Sequence, residues 1–407
     1  MKYDALIVGG GVAGSACAIL LQRAGQQVAL VDKIPDADRY KKLCTHFIQP
    51  AAMPVLQRLQ LGHLMQPDRG VVTRAAFITP AGTIDPAGGY GEQADHYALN
   101  LERAVLDPAL RRAALAAGVH IYYGHPVQDV SGGAGAWQVH TEHQGETVTL
   151  HGRLLVAADG RASPLAARLG NRAEEHENQR ATLFAYCRGI AAPPGGRSLF
   201  AQHQGGMAFL YPLINQRTLL SAYIDKPTAA AWHRGDARQH LLDYFSSVPA
   251  MPSMAGAAFE TAVMGYHDYP NRVRQPVCAG VPFIGDAVLS LDPMSGVGCS
   301  FALLAAAMLA DACLDGPADA PAALKQYQQA FNRYFPAHAR GIIADSQQVK
   351  EDEVQRALYQ TILADETLQR RFLDLTGRLI APAAFQTAYM LSKVRQRRDA
   401  AATTGGA

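Results

Sequence analysis

Three short stretches hold residues whose types and spacing could do chemistry. In Gly9-Gly10-Gly11-Val12-Ala13-Gly14, glycines 9, 11 and 14 stand as GxGxxG. At that spacing the first glycine permits a tight turn and the second lets backbone approach a pyrophosphate. The third lets a helix pack close to a strand. Val12 and Ala13 open the helix, whose first N–H groups have no internal partner and can face phosphate. Asp32 closes the next apolar run, where a carboxylate can bond a ribose hydroxyl, and Lys33 follows it. A glycine-rich turn beside a surface acid would carry the same letters. The order strand, glycines, helix, strand, acid favours a dinucleotide, and FAD and NAD both fit.

The second stretch, Ala158-Asp159-Gly160-Arg161-Ala162-Ser163, closes an apolar strand. The third, Gly280 to Gly298, places Gly285-Asp286 at a strand end and runs through Pro293, Gly296, Val297 and Gly298 into a long apolar segment. Candidates for direct chemistry are Cys44, His46 and Tyr211, with His267 as a further acid–base candidate; a packing role for Cys44 and solvated or hydrogen-bonded histidines are the favoured readings, and Tyr211 lines the pocket or belongs to the core. HExxH, GxSxG and Walker A patterns are absent, which leaves metalloprotease, serine hydrolase and NTPase readings without support.

The elements that must position these residues follow from periodicity. Asp4 to Val8, Val12 to Ala24 and Gln27 to Asp32 read as strand, helix and strand, the opening of a parallel βαβ unit. A helix is expected over Leu99 to Ala117. Strands are expected over Val119 to Tyr123, Trp137 to Thr141, Thr147 to Leu150 and Leu154 to Ala157, with a hairpin turn at His143 to Glu146. From about residue 181 the chain turns β-rich: Ala181 to Ile190, Ser198 to His203, Ala208 to Ile214 and Thr218 to Ile224 predict an antiparallel sheet. Ala257 to Met264 is a further candidate strand, and Val277 to Ile284 returns to an apolar one. Gly298 to Cys313 is apolar nearly all round, so a buried helix is expected. Beyond Pro321 the chain reads as helical and more charged.

Composition bounds the function. The 407 residues are 49% hydrophobic and 18% charged, the balance of a chain with a large core rather than a disordered one. With 37 basic and 35 acidic residues the charge is nearly even, which disfavours a nucleic-acid binder. The six cysteines show no CxxC spacing, so neither a zinc site nor a disulfide framework is expected. The uncharged run from Ala5 to Leu21 is short and broken by glycines, unlike a membrane span. A cytoplasmic protein without stable membrane insertion is expected. Lys393, Arg395, Arg397 and Arg398 form a basic stretch near the C-terminus. It reads as a solvated helix end or as a dock for an acidic carrier protein or an anionic surface.

With GxGxxG, DGxxS and GDA…DPxxGxG in this order, the chain resembles the class A flavoprotein monooxygenases, which share the para-hydroxybenzoate hydroxylase fold. The resemblance covers roughly residues 1–320, and Leu101 to Leu110 adds a helix start similar to that group's. It implies FAD as cofactor and NAD(P)H as a transient co-substrate. Asp286 would meet the ribityl hydroxyls, and the Pro293 to Gly298 turn the flavin N1/O2 edge. Arg103 would reach the phosphate or ribityl region, and Asp159 would shape the groove. Lys33, Lys42 and Val127 complete the expected cofactor contacts. Val288-Leu289-Ser290 stands where aromatic hydroxylases carry a histidine. The DPxxGxG form looks more like geranylgeranyl reductases and flavin-dependent halogenases, and Lys42-Leu43-Cys44 resembles the Lys-x-Cys stretch of the reductase-like branch. Only Trp137 and Trp232 are present, so the halogenase WxWxIP signature is missing.

The expected architecture is α/β (α+β): a Rossmann-like FAD-binding lobe with a β-meander, an antiparallel-sheet substrate lobe and C-terminal helices. Residues 1–70, 96–180 and 271–320 are assigned to the FAD-binding domain, 71–95 and 181–270 to the substrate domain, and 321–407 to a helical region. The expected function is an FAD-dependent monooxygenase that hydroxylates or epoxidises a mostly apolar or aromatic small molecule, free or tethered to a carrier. The alternatives are a reductase of isoprenoid or polyene C=C bonds, a halogenase-like enzyme with an external flavin reductant, and a flavoprotein redox sensor or interaction module.

Overall fold

In the computed structural model, residues 2–90, 96–314, 321–348 and 352–404 are described. Lys2–Val8, Val28–Asp32 and His120–Tyr123 pair in parallel, and Glu146–Ala157 joins the other side of Lys2–Val8, also in parallel. Ala136–His143 and Val127–Gly133 then extend the sheet antiparallel, which makes a six-stranded mixed sheet. All five residues of Val28–Asp32 are buried, as expected for a parallel strand covered on both faces. Helix Val12–Arg23 packs on this sheet and against helix Gly298–Ala312. Leu303 and Leu309 of the latter are fully buried, and each contributes about 1.5–3 kcal/mol by leaving water. Helix Pro321–Ser346 covers its other side.

A second sheet runs in the order Ala258–Phe259, Arg180–Arg188, Thr218–Asp225, Gly206–Pro212, Ser198–His203, Ala75–Thr79 and Gly82–Ile84. Met264–Tyr266 also pairs with Arg180–Arg188. One face packs on helices Lys226–Arg234 and Ala237–Ser247. The other face carries an aromatic cluster that includes Phe184, Phe200, Phe209, Tyr211 and Tyr223, and it looks toward the first lobe. Helices Asp352–Leu363, Glu366–Thr376 and Pro382–Thr404 close over the far strand through Ile84, Tyr359, Ile362 and Phe385.

The chain is mixed helix and sheet, as its sequence pattern suggests, with local departures. Thr147 to Leu150 and Leu154 to Ala157 belong to one twelve-residue strand, because Gly152 sits inside the ladder over Leu6 instead of breaking it. Val127–Gly133 is a strand that its glycines and polar residues concealed. The second sheet is not wholly antiparallel: Ser198–Ala201 runs parallel to Ala75–Ile78, a pairing set by a long crossover that no local pattern reports. Its two covering helices escaped notice because they are short and interrupted by Gly235. Val277 to Ile284 is a small hairpin, Val277–Cys278 with Val281–Pro282, and a parallel bridge joins Phe283 to Ala157. Helix Pro382–Thr404 is the last element of the described residues. Residues 91–95 of the expected substrate domain lie outside the described residues. Among the described residues, no helix is long and apolar enough to cross a membrane.

Candidate functional site

A cavity of about 790 Å³ lies between the two lobes. Its floor is built from backbone. Gly9 holds φ +109°, and a Cβ there would lie 2.2 Å from the Ala158 carbonyl oxygen. At Gly14 a Cβ would lie 1.8 Å from the Gly9 carbonyl oxygen, so any side chain would push helix Val12–Arg23 off the first strand. Gly11 differs, because its Cβ position has no atom within 4 Å and faces the cavity. Val12 and Ala13 complete the turn and also line the cavity. Asp32 is buried, with Oδ1 accepting from the Ile34 N–H at 3.1 Å. A Cβ on Gly10 would come within 2.3 Å of Asp32 Oδ2, a constraint on Gly10 that the GxGxxG spacing does not express.

The segments following the strands close the cavity. Asp159 accepts from Ser163 Oγ at 2.7 Å and from the Leu165 N–H at 2.9 Å, so its carboxylate shapes its own turn. Burial pushes its pKa up, and those two bonds oppose the shift. Asp286 reaches Lys41 Nζ at 3.5 Å across the cavity mouth. Pro293, Gly296, Val297 and Gly298 line the opposite end, where helix Gly298–Ala312 begins. The first N–H groups of that helix have no intrahelical partner, and no atom lies within 4 Å of the Gly298 Cβ position. Lys33, Lys42 and Val127 also line the cavity.

Arg103 is buried at the start of helix Arg103–Ala116 and pairs with Asp107, Nε to Oδ1 at 2.5 Å and Nη2 to Oδ2 at 2.9 Å. The other Asp107 contact, to the Lys41 N–H at 3.1 Å, ties the exposed segment 33–43 to this helix. Arg111 adds a bond to the Ala37 carbonyl at 2.9 Å. The segment therefore straps the cavity on its solvent side.

The three candidates for direct chemistry stand differently toward the cavity. Cys44 lines the cavity. His46 is buried behind it in a left-handed conformation, φ +64°. Its Nδ1 accepts from the Arg103 N–H at 3.2 Å, which leaves Nε2 to donate to the Tyr186 hydroxyl, so both ring nitrogens are engaged. Tyr211 sits in the aromatic cluster, with ring centroids 5.8 Å from Phe47 and 5.6 Å from Phe200. His267 lies away from the cavity, beside Asp268 on a shallow surface depression.

Several contributors escaped the sequence reading. Asp292 is buried, and Arg180 Nη1 donates to its Oδ2 at 2.9 Å while Asn178 Nδ2 donates to its Oδ1 at 3.0 Å. Arg180 Nη2 also reaches Asp345 Oδ2 at 3.0 Å. Arg180 opens a strand of the second sheet and Asp345 lies near the end of helix Pro321–Ser346, so the DPMSG turn is pinned to both. Arg378 Nη2 donates to the Ser295 carbonyl at 3.3 Å, and Gln49 Nε2 reaches the same oxygen at 3.4 Å. Thr182, Phe184, Tyr266 and Tyr269 form the wall from the second lobe. Arg161 lies 4.0 Å over the Tyr269 ring. The partners lie far apart in the chain, and only the DP dipeptide hinted at any of them.

A glycine turn open to a cavity, a buried acid at the next strand end and a second helix N-terminus at the far end fit a dinucleotide joined to a ring system. This is the fold and site of a flavoprotein. The FAD-binding domain family matches residues 2–333, and the chain belongs to it. With that family it falls in the superfamily of class A flavin monooxygenases and halogenases, whose members are oxidoreductases. The chain is 29% identical over 213 residues to a kynurenine 3-monooxygenase from Myxococcus xanthus, covering 50% of this chain and 45% of that protein. It is 25% identical over 341 residues to the flavin-dependent halogenase armH3 of Armillaria mellea, covering 74% of this chain and 65% of that protein. The chain thus spans about half to two thirds of these relatives' lengths. Its fold matches that of p-nitrophenol 4-monooxygenase PnpA from Pseudomonas putida with TM-score 0.76 at 18% identity, over 93% of this chain and 98% of that one.

Proposed function

We propose that the protein is an FAD-dependent monooxygenase that inserts one oxygen atom into a mostly apolar or aromatic small molecule, with NAD(P)H as reductant. The observation that carries this reading is the continuity of one cavity: the backbone-built cofactor floor faces Phe184 and Tyr266 of the second lobe directly. Reduced FAD bound there would supply the oxygen-activating chemistry. The chain's own residues do the rest. Gly11 and the start of helix Val12–Arg23 receive the pyrophosphate, Asp32 the ribose and Asp286 the ribityl chain. The N-terminus of helix Gly298–Ala312 stabilises negative charge at the ring's polar edge. Phe184 and its neighbours exclude water and orient an apolar substrate. No further GxGxxG follows a strand in the sequence, which supports transient docking of NAD(P)H rather than a nicotinamide domain of its own. A cytoplasmic setting, no nucleic-acid partner and a substrate either free or carrier-tethered belong to the same reading.

A second reading, a C=C reductase, is favoured by Cys44 standing in the cavity beside the Lys42-Leu43 pair. Two measurements separate the readings. Anaerobic mixing of the yellow protein with NADPH or NADH should bleach the flavin, and product made under ¹⁸O₂ should carry label. An unlabelled product formed without oxygen would replace the monooxygenase with the reductase. A flavin that only dithionite reduces would point to an external electron donor.

A further inference from the structure

Arg378 lies beyond the residues that the FAD-binding domain family matches, yet its side chain reaches the turn at the far end of the cavity. It follows helix Glu366–Thr376, where Gly377 caps the helix and the Leu379 N–H returns to the Asp374 carbonyl at 2.8 Å. Arg378 itself stands at φ +65°, the left-handed position after a helix that glycine fills most easily. An arginine there works against the local backbone. The loop is nevertheless docked: Tyr334 Oη donates to the Arg378 carbonyl at 2.9 Å, and the Ala51 N–H to the Gly377 carbonyl at 3.2 Å.

Arg378 Nη2 and Gln49 Nε2 both donate to the Ser295 carbonyl, at 3.3 and 3.4 Å. Neither residue lines the cavity, so this oxygen is held on the outer side of the Pro293–Gly298 turn and its dipole is kept out of the cavity. Beyond that bond the guanidinium is poorly compensated. Among the described residues it forms no ion pair, and its Nε is buried without a partner. Asp345 attracts it, but that carboxylate is bonded to Arg180. Burial lowers the Arg378 pKa to about 10, which leaves the group charged at neutral pH, whereas burial keeps the neighbouring His338 neutral there. One positive charge therefore stands behind the turn.

We propose that Arg378 is a positioning residue that raises the reduction potential of FAD bound in this cavity. It turns the Ser295 carbonyl away from the cavity, and its charge favours the negative charge that reduction places at the ring's polar edge. The two effects have one sign, because each makes the potential at the turn more positive. The inference rests on the reading that sets this edge against the Pro293–Gly298 turn. It is independent of which flavin reaction the cavity supports. The unfavourable backbone position of Arg378 has the same explanation: the reach of the side chain, and not the local conformation, accounts for an arginine where glycine would sit at ease.

The test is an anaerobic redox titration of the full-length, FAD-loaded protein against reference dyes, with no nicotinamide, oxygen or substrate present. Arg378→Gly suits the backbone, so its melting temperature should stay within about 3 °C of the parent's. Its equilibrium constant for flavin reduction should fall about tenfold, a drop of about 30 mV for a two-electron couple. Arg378→Lys keeps the charge and should lose no more than about threefold. An unchanged potential in Arg378→Gly would overturn the proposal, whatever its melting temperature does. So would a lysine variant that falls as far as the glycine one, or loss of FAD from Arg378→Gly, since the residue would then serve binding. An unchanged potential beside ¹⁸O-labelled product would remove this inference and leave the monooxygenase reading standing. A lowered potential beside unlabelled product would do the reverse.

Discussion

The two walls of the cavity are made of different material. On the first-lobe side, Gly9, Gly11, Gly14 and the Gly296–Gly298 turn offer backbone, with Asp32 and Asp286 as fixed acceptors. On the second-lobe side, Thr182, Phe184, Tyr266 and Tyr269 offer side chains set on strands and the loops beside them. A backbone wall recognises what all flavin nucleotides share, because peptide N–H groups and glycine clearances do not vary with the side-chain alphabet. A side-chain wall can change with single substitutions without disturbing the strands beneath it. On the proposed reading, the cofactor side is therefore generic and the substrate side particular to this chain.

The Arg180–Asp292 pair joins the walls, and breaking it should have the largest effect. Arg180→Ala leaves Asp292 buried without its cation and is expected to cost about 3–5 kcal/mol in urea unfolding. The double variant Arg180→Met/Asp292→Leu should recover much of that loss. A double variant as unstable as the single would show that the pair does more than neutralise itself.

Gly11→Leu probes the backbone wall alone. Nothing lies within 4 Å of its Cβ position, so the melting temperature of the FAD-free protein should hardly move. FAD affinity should fall by roughly thirtyfold, about 2 kcal/mol, because the side chain fills cofactor space. Equal losses in both measurements would mean that Gly11 serves the fold rather than the site.

His338, behind the backbone wall on helix Pro321–Ser346, gives a pH handle. Burial lowers its pKa to about 4, and the nearby Arg378 adds to the shift. The unfolded chain takes up a proton near pH 6.5 that the folded chain refuses. Stability should accordingly be full above that pH and decline as pH falls toward 4, by about 2 kcal/mol at pH 5. His338→Gln should flatten this slope; an unchanged profile would assign it to another group.

Phe184→Leu is the smallest change expected. It should alter KM or product distribution by up to about tenfold while FAD affinity stays within about twofold. A drop in FAD affinity of the same size as the substrate effect would erase the distinction between the walls.

How much of this was legible depends on distance along the chain. GxGxxG, Asp32, Asp159 and the GDA…DPMSGVG stretch could be read because each motif and its structural consequence occupy a few neighbouring residues. The cavity lining takes residues from each of them. Tyr211 and His46 were harder, since a tyrosine or histidine looks the same on the page whether it faces a cavity or has its polar atoms engaged. Both lie off the cavity, Tyr211 among aromatic rings and His46 between Arg103 and Tyr186. The Val127–Gly133 strand and the parallel pairing of Ser198–Ala201 with Ala75–Ile78 were hidden for a related reason, because the partner strand, and not the residues themselves, decides the pairing.

The sequence alone determined the fold class and the order in which the glycine turn, Asp32 and Asp286 follow their strands, because backbone clearance and strand–turn–helix order are local properties. Only the tertiary structure decided that Arg180 ties Asp292 to Asp345, and that Phe184 rather than Tyr211 faces the cavity. Those contacts join residues far apart in the chain. Which of them form depends on how whole elements pack, a cooperative outcome that no short window of residues contains.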